Sequence, residues 1–412
     1  PRTYTDHTPG EAGLNPVTLA RIGLIVRKGM KARAFPGCQV VVMKDGKLVY
    51  DRCFGYDTYD RIRPVTPSTL YDLASLSKTT GTLLAIMKLY DEGKLQLTDK
   101  ASFYLPFLQG TDKEEITLTE LLEHESGLPA SLEGHRLVTT KDTAHYIRIG
   151  RTNYNADWVS NTLSPEFPVQ VSDSFYLSPR YHEAAMQLIV DTPMKRKTYL
   201  YSCVNFILLK EIAESISGRP MDVFLDSVFY APMGLKDIGY LPLKTHLKET
   251  IAPTLRKDGL RSGVIQGFVH DPDAAFFGGV SGNAGLFATA RDVAMVYQMI
   301  LNGGELDGKR YLRAETCRVF TTTTSASGRR GLGFDKPVPS NPGHSPCCES
   351  APREVYGHTG YTGTCCWVDP VNNLIYVFLS NRTYPNDGGN KLARMGIRTK
   401  IQETIYQSMK RK

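Results

Sequence analysis

The chain carries at residues 71–78 the stretch Tyr-Asp-Leu-Ala-Ser-Leu-Ser-Lys, directly before apolar residues with helical spacing at 79–92. Ser75 and Lys78 therefore stand at the predicted start of a helix. Unpaired backbone N–H groups and the positive end of the helix dipole favour a developing anion there. Lys78 lies three residues beyond Ser75, so both share one helix face and the amine can reach the hydroxyl. A neutral, desolvated lysine is a base that can activate a serine.

The Ser-x-x-Lys tetrad is a weak signal alone, because about one or two are expected by chance in a chain of this length. An N-cap serine with a surface lysine gives the same pattern. Two further segments strengthen it. The first is Tyr-Leu-Tyr-Ser-Cys-Val-Asn-Phe at 199–206, directly before an amphipathic helix. The second is Tyr-Gly-His-Thr-Gly-Tyr-Thr-Gly-Thr at 356–364, which leads into a hairpin.

Strand signals lie near the two ends of the chain, and helix signals fill the middle. Hairpins are predicted at 38–52, around an Asp-Gly turn, and at 364–380. Helices are predicted at 16–34, 79–92, 201–216, 290–301 and 391–409. This order predicts an α/β sandwich, an antiparallel sheet flanked by helices. We expect the sheet part at 17–75 and 290–412, with an all-helical subdomain inserted at 76–289.

Three segments have the composition of loops. Residues 1–16 are rich in Pro, Gly and Thr and are predicted to form a tail or linker before a single domain at 17–412. Residues 322–355 are rich in Ser, Pro and Gly and are predicted to form a mobile surface loop. Residues 130–197 are long, irregular and aromatic. Loops of that length are often lids or pocket walls, so we expect a lid-like insertion beside the active site.

Together, these motifs resemble the superfamily of class C β-lactamases, penicillin-binding proteins and serine esterases. The likeness includes Leu-Leu-Glu-His-Glu-Ser-Gly-Leu-Pro at 121–129 and Gly-Gly-Val-Ser-Gly-Asn-Ala-Gly-Leu-Phe at 278–287, and it covers about residues 17–408. Within the superfamily, the chain is most similar to the module that some bacteria fuse behind a glycosidase domain. The resemblance implies a β-lactamase/transpeptidase-like fold with the active site in the cleft between its two parts.

The resemblance also implies a catalytic role for each matching position. Ser75 would be the nucleophile, and Lys78 its base or base partner. Tyr201 would relay protons to the leaving group and later activate the acceptor. A tyrosine ionises near pH 10, so it needs a neighbouring cation such as Lys78. The backbone N–H groups of Ser75 and Tyr361 would form the oxyanion hole.

Four positions are predicted to bind the substrate: His358, Thr359, Gly360 and Cys203. The first three occupy the place of the Lys-Thr-Gly strand common in β-lactamases. Cys203 stands where relatives have Asn or Asp, and a thiol is a weaker hydrogen-bonding group, so we expect weaker recognition of a substrate amide and at most weak β-lactam hydrolysis. His124 lies in a segment that is structural in the family. The sequence after it lacks the second histidine of a zinc-protease helix, so no metal is inferred.

These observations predict a serine acyl-enzyme hydrolase that acts on an ester or amide, of the esterase or D-amino-acid peptidase type. Two alternatives stay open. One is an acyltransferase that uses a hydroxyl of a bulky lipophilic acceptor, with the 130–197 segment as its acceptor pocket. The other is a β-lactam-binding sensor. No cofactor is expected.

The net charge of +7 is mild, and the short basic clusters lack the aromatic pattern of nucleic-acid sites. A small ester, amide or alcohol is therefore the expected partner, with the oligomeric state open. No apolar stretch is long enough to cross a bilayer, and the first residues lack the apolar region of a secretory signal. By resemblance we expect the bacterial periplasm or the cell exterior, with the cytoplasm as the alternative.

Overall fold

The computed structural model describes residues 7–409. Within that range the strands are β1 (Gly37–Lys44), β2 (Lys47–Gly55), β3 (Tyr71–Asp72), β4 (Tyr146–Ile149), β5 (Thr152–Asn155), β6 (Val159–Ser160), β7 (Val169–Ser172), β8 (Phe175–Leu177), β9 (Ile238–Gly239), β10 (Phe287–Ala288), β11 (Glu305–Leu306), β12 (Lys309–Arg310), β13 (Tyr356–Gly360), β14 (Thr364–Asp369) and β15 (Leu374–Ser380). The α-helices are α1 (Pro16–Leu19), α2 (Arg21–Lys31), α3 (Leu83–Asp91), α4 (Ala101–Tyr104), α5 (Leu118–Leu122), α6 (Arg180–Asp191), α7 (Cys203–Ser217), α8 (Met221–Leu225), α9 (Pro272–Phe276), α10 (Ala290–Leu301), α11 (Ala314–Thr322), α12 (Lys391–Arg394) and α13 (Ile397–Ser408).

The main sheet is antiparallel and is assembled from both ends of the chain, in the order β13-β14-β15-β1-β2. β1 pairs with β15 from Cys38↔Ser380 to Lys44↔Leu374. Side chains alternate between the two faces of a strand. Accordingly, Val40 and Val42 lie in one core with α2 and α13, and Val41 and Met43 lie in the other with α3 and α10. The predicted sandwich, an antiparallel sheet flanked by helices, is confirmed.

The inserted part, 76–289, is not all-helical, and this prediction is wrong for residues 146–177. β4 and β5 form a hairpin, and β6, β8 and β7 form a small sheet. Three aromatic side chains of this region turn inward: the rings of Tyr154, Phe175 and Tyr181 lie 6.3, 5.4 and 5.7 Å from that of Phe276. The strands β5 and β8 and the helix α6 thus bury these rings in the core.

The start of the chain is also more ordered than a tail or linker. Of the predicted segment 1–16, residues 1–6 lie outside the described range, and the rest packs on the domain. Leu14 is fully buried and forms a bridge with Met409, and the His7 N–H donates to Leu48 O at 2.9 Å. The single helix predicted at the other end divides into α12 and α13, because Gly396 between them has a φ of 60°.

Residues 322–355 form the predicted surface loop only in part: 326–328 and 339–344 are exposed, whereas other residues of the segment pack inward. Asp335 exchanges two backbone hydrogen bonds with Gly357 of β13, at 2.8 and 3.1 Å. Ser325, Arg330 and Asp335 are buried. The polar composition that suggests solvent exposure is satisfied here by side chains and by the edge of the main sheet.

Candidate active site

A tight turn presents Ser75. Ala74 before it has a positive φ of 50°, and its N–H donates to Asp72 Oδ1 at 2.8 Å. Asp72 Oδ2 accepts from the backbone of His270 at 2.7 Å. A turn of 3₁₀ helix (Ala74–Leu76) and a π-helical turn (Lys78–Thr82) then lead into α3. The serine is thus held at a helix start, as predicted from its sequence position.

The final hairpin packs directly against this turn. The hydroxyls of Thr362 and Thr364 donate to the carbonyls of Asp72 and Leu73, both at 2.8 Å. A Cβ on Gly360 would lie 2.4 Å from Leu73 O, so only glycine permits this approach. Gly360 therefore positions the nucleophile segment.

Lys78 is fully buried and reaches Ser75 as expected. Its Nζ donates to Ser75 Oγ at 2.8 Å, to Asn283 O at 3.0 Å and to Cys203 Sγ at 3.5 Å. Burial opposes its charge, but the groups of Cys203 and Tyr201 beside it raise the pKa of Lys78 above its ordinary value. The direction of this shift favours the ammonium form, whereas the sequence predicts a neutral base.

Tyr201 lies between two cations. Lys78 Nζ is 4.9 Å from the centre of its ring, and Arg330 Cζ is 5.3 Å from it. Burial raises the pKa of the Tyr201 phenol, and the Lys78 charge opposes that rise. Burial likewise raises the pKa of the Cys203 thiol against the influence of Lys78. Burial therefore opposes ionisation of both groups.

Arg330 was missed by sequence reasoning. It is 2% exposed, and its Nη2 donates to His358 Nε2 at 2.9 Å. His358 Nδ1 in turn donates to Thr359 O at 2.6 Å, so both ring nitrogens are occupied. Burial and then the Arg330 charge lower the pKa of His358 to about 3. His358, which was predicted to bind the substrate, is thus a neutral side chain that accepts a hydrogen bond from Arg330.

A second arginine and a carboxylate complete this group. Asp335 Oδ1 lies 2.7 Å from Arg329 Nη1, and Asp335 Oδ2 lies 3.5 Å from Arg330 Nη1. Burial opposes ionisation, but the charges of Arg330 and Arg329 hold the pKa of Asp335 below its usual range. Two guanidinium groups face one carboxylate, which leaves one positive charge uncompensated. Arg330 Nε is buried and has no hydrogen-bond partner within residues 7–409.

Two cavities meet at Ser75. The arginine-side cavity has a volume of about 320 Å³ and is lined by Ser75, Tyr199, Tyr201, Arg329, Arg330, Asp335, His358, Thr359 and Tyr361. The aspartate-side cavity, about 300 Å³, is lined by Ala74, Ser75, Cys203, His270, Asp271, Pro272, Asn283, Ala284, Tyr361 and Asp387. Ser75 and Tyr361 line both cavities, which suits the predicted oxyanion pair. The role of their N–H groups stays a prediction.

The structure brings most of the predicted residues together. Ser75, Tyr201, Cys203, His358 and Thr359 all line one of the two cavities, with Lys78 directly beneath. No residue of 130–197 lines either cavity, so the prediction that this segment walls the site is wrong. Two larger cavities, of about 540 and 430 Å³, contain none of the predicted site residues.

Sequence signals exist for some of the remaining lining residues and are absent for others. Asn283 lies in a segment that already resembles the superfamily, and its amide donates to Asp271 Oδ2 at 2.9 Å. Arg329 and Arg330 lie in a polar stretch with no motif.

Among the described residues, no group of three His, Cys, Asp or Glu side chains could hold a metal ion. No helix in that range is long and apolar enough to span a membrane.

A family model described as Beta-lactamase matches residues 24–397. The chain belongs to the β-lactamase family. A relative from Escherichia coli (strain K12), named "Putative D-alanyl-D-alanine carboxypeptidase", is 30% identical over 410 residues, which cover 92% of this chain and 86% of the relative. The expected enzyme class, a serine hydrolase of this superfamily, is confirmed.

Solved structures agree on the β-lactamase-family fold. A penicillin-binding protein homologue from Caulobacter crescentus superposes with a TM-score of 0.66 at 19% identity, covering 96% of this chain and 99% of that one. "EstCE1, a hydrolase with promiscuous acyltransferase activity" superposes with a TM-score of 0.65 at 17% identity, covering 95% and 99%. At these identities the likeness concerns the fold alone.

Proposed function

We propose that the protein is a carboxypeptidase-type serine hydrolase, which cleaves an amide or ester whose leaving group ends in a carboxylate. Peptides that end in D-alanyl-D-alanine are the first candidates. The observation that carries this proposal is Arg330, a buried guanidinium that lines the same cavity as Ser75 and Tyr201, together with Arg329. The printed name of the Escherichia coli relative points to the same substrate class.

The placement of Tyr201 sets the direction of the substrate. In the proposed mechanism the phenol protonates the leaving group, and Tyr201 lines the arginine-side cavity only. The leaving group then lies beside Arg329 and Arg330, and the acyl group lies in the aspartate-side cavity. A carboxylate accepts charge-assisted hydrogen bonds from a guanidinium, and these are among the strongest in proteins. A neutral leaving group would lack these charge-assisted hydrogen bonds, each of which is worth about 1.5–3 kcal/mol.

The proposed reaction begins with attack of Ser75 Oγ on the scissile carbonyl. Its proton passes into the Lys78–Tyr201 pair, and the phenol gives a proton to the departing amine or alcohol. Water then attacks the acyl-enzyme and restores the serine. In the proposed resting pair an ammonium lies beside a neutral phenol, so the pair must lose one proton before it can accept another. The rate of acylation should therefore rise with pH.

Cys203 limits the choice of scissile bond. The thiol contacts Lys78 at 3.5 Å, and it offers a substrate amide weaker hydrogen bonds than Asn or Asp would. Esters should therefore be cleaved faster than the matching amides.

The location stays a prediction, and the family resemblance favours the periplasm or the cell exterior.

The proposal is tested with matched substrates that differ only at the carboxyl end. A D-alanyl-D-alanine peptide, the corresponding D-lactyl ester and the C-terminal amide of each would be compared by kcat/KM. We expect the free carboxylates to be preferred by about 10-fold to 10²-fold, the value of one buried charge-assisted contact. Ser75→Ala should abolish turnover of all four. Equal turnover of acid and amide, or full activity of the alanine variant, would overturn the proposal.

A further inference from the structure

His124 contacts the ring of Tyr201 and the backbone of both residues next to it in the chain. Its carbonyl accepts from Leu200 N at 2.9 Å, and its Nδ1 accepts from Ser202 N at 3.1 Å. These are the residues before and after the tyrosine. The two rings also face each other, with centroids 4.7 Å apart. One residue thus holds the backbone on both sides of Tyr201 and the face of its phenol.

The imidazole is itself held from behind. Asn205 Nδ2 lies 2.9 Å from His124 Nδ1, and Asn205 Oδ1 accepts from Ser126 Oγ at 2.5 Å, which orients the amide. Phe206 stacks on the other side of the histidine, with ring centroids 5.4 Å apart. His124 is 1% exposed and has a positive φ of 58°. A residue in this backbone conformation is held there by its surroundings.

These contacts require the neutral imidazole. Two N–H donors point at Nδ1, so Nδ1 must carry the lone pair and Nε2 the proton. An imidazolium has no acceptor and would break both contacts. Burial, and then the charges of Arg330 and Lys78, hold the pKa of His124 well below its usual range. Arg330 and Lys78, which flank Tyr201, therefore also favour the neutral form of His124.

We propose that His124 is the positioning residue of Tyr201: as a neutral imidazole it fixes the phenol between Lys78 and Arg330. This inference rests on the proton-transfer role proposed for Tyr201. Proton transfer needs heavy-atom distances of about 2.6–3.2 Å, so a small displacement of the phenol lowers the rate sharply. Loss of the support should lower kcat and leave KM nearly unchanged, because the phenol acts mainly in the transition state.

The test is a double-mutant cycle of His124→Phe and Tyr201→Phe, measured by kcat, KM and the pH profile of kcat. His124→Phe keeps a ring and removes the acceptor. We expect it to lower kcat about 10-fold to 10²-fold and to shift the pH profile, while the same change made in Tyr201→Phe lowers kcat less than about 3-fold. His124→Asn is the rescue variant. Asparagine tolerates a positive φ and offers Oδ1 to Ser202 N, so it should recover most of kcat.

Folding of each variant is checked by thermal unfolding. A measurement on the unaltered protein does not depend on that check: ¹⁵N NMR of labelled histidine should show His124 neutral and protonated at Nε2 from pH 5 to pH 9. If Tyr201→Phe lowers kcat but the two substitutions multiply independently, or if His124 titrates near pH 6.5, this inference fails and the proposed function stands. If Tyr201→Phe leaves kcat unchanged, both fail.

Discussion

In two loop-rich segments of this chain, the structure places the residues opposite to where their composition predicts them. Residues 130–197 are aromatic and read as a wall of the active site, yet Tyr154, Phe175 and Tyr181 pack into the core around Phe276. Residues 322–355 are polar and read as a surface loop, yet they bring Arg330 and Asp335 into the site.

The difference has a simple physical reason. Aromatic rings stabilise a fold in proportion to the apolar area that they remove from water, so a segment rich in them is drawn to the core. A guanidinium is buried only where partners compensate it, as His358 and Asp335 do for Arg330. Composition therefore indicates burial for the first segment and says little about the second.

The largest expected effect is on the stability contributed by the aromatic segment. Phe175→Ala removes a fully buried ring between Tyr154 and Phe276 and should lower the free energy of unfolding by about 3–5 kcal/mol. Chemical denaturation would measure it. Per folded molecule, kcat/KM should stay within about 2-fold of the parent, since no residue of this segment lines the cavities at Ser75. A loss of activity without a loss of stability would restore the lid interpretation.

The second effect is on catalysis and comes from the polar segment. Arg330→Met should lower kcat/KM for carboxylate-ended substrates about 10²-fold, because a buried charge-assisted partner is lost. It should also raise the pKa of His358 from about 3, since the Arg330 charge is the second cause of that value after burial. Histidine NMR would follow the pKa.

Arg329→Met is the matched control for Arg330. The Arg329 side chain is 26% exposed and shares the same carboxylate, so its loss should cost several-fold less in kcat/KM. Equal effects of the two substitutions would mean that the segment contributes only a general positive field.

The third effect is a pH-dependent stability at the base of the polar segment. Glu125 contacts this segment, because its Oε1 accepts from Ser327 N at 2.9 Å. The neighbouring Glu123 is the group that titrates: its burial, and then the charge of Glu125, raise the pKa of Glu123 to about 7. The folded protein therefore holds this proton more tightly than the unfolded chain does. The resulting stabilisation is complete below the ordinary glutamate pKa and is lost as the pH rises through about 7.

Glu123→Gln removes this titration. We expect the decrease in unfolding free energy between pH 5 and pH 8 to become about 1–2 kcal/mol smaller than in the parent. Urea denaturation at the two pH values measures it. An unchanged difference would show that Glu123 does not titrate in this range.

The smallest effect should come from an exposed ring of the aromatic segment. Tyr146 lies in β4 and is 42% exposed. Tyr146→Ser should change the unfolding free energy by no more than about 0.5 kcal/mol and leave kcat/KM unaltered. A selective loss of transfer to a bulky alcohol acceptor would instead support an acceptor surface on this segment.

Several features of the protein were readable from local patterns. The two hairpins follow from short apolar runs on either side of a turn, and their pairing into one antiparallel sheet was predicted from their positions near the chain ends. Ser75 and Lys78 are three residues apart, so the helical geometry of the chain alone brings them together. The resemblance placed Tyr201, His358 and Thr359 at the same site because those motifs keep their order.

The tertiary structure decided the rest. Arg330 and Asp335 reach the site only because their segment pairs with the edge of β13, a contact between residues more than 20 positions apart. The charge of Lys78 depends on how its burial competes with Tyr201 and Cys203, which are more than 120 residues away along the chain. His124 supports Tyr201 through contacts that span 76 to 78 positions. Burial and electrostatic interactions depend on distances in space, and local sequence patterns contain only distances along the chain.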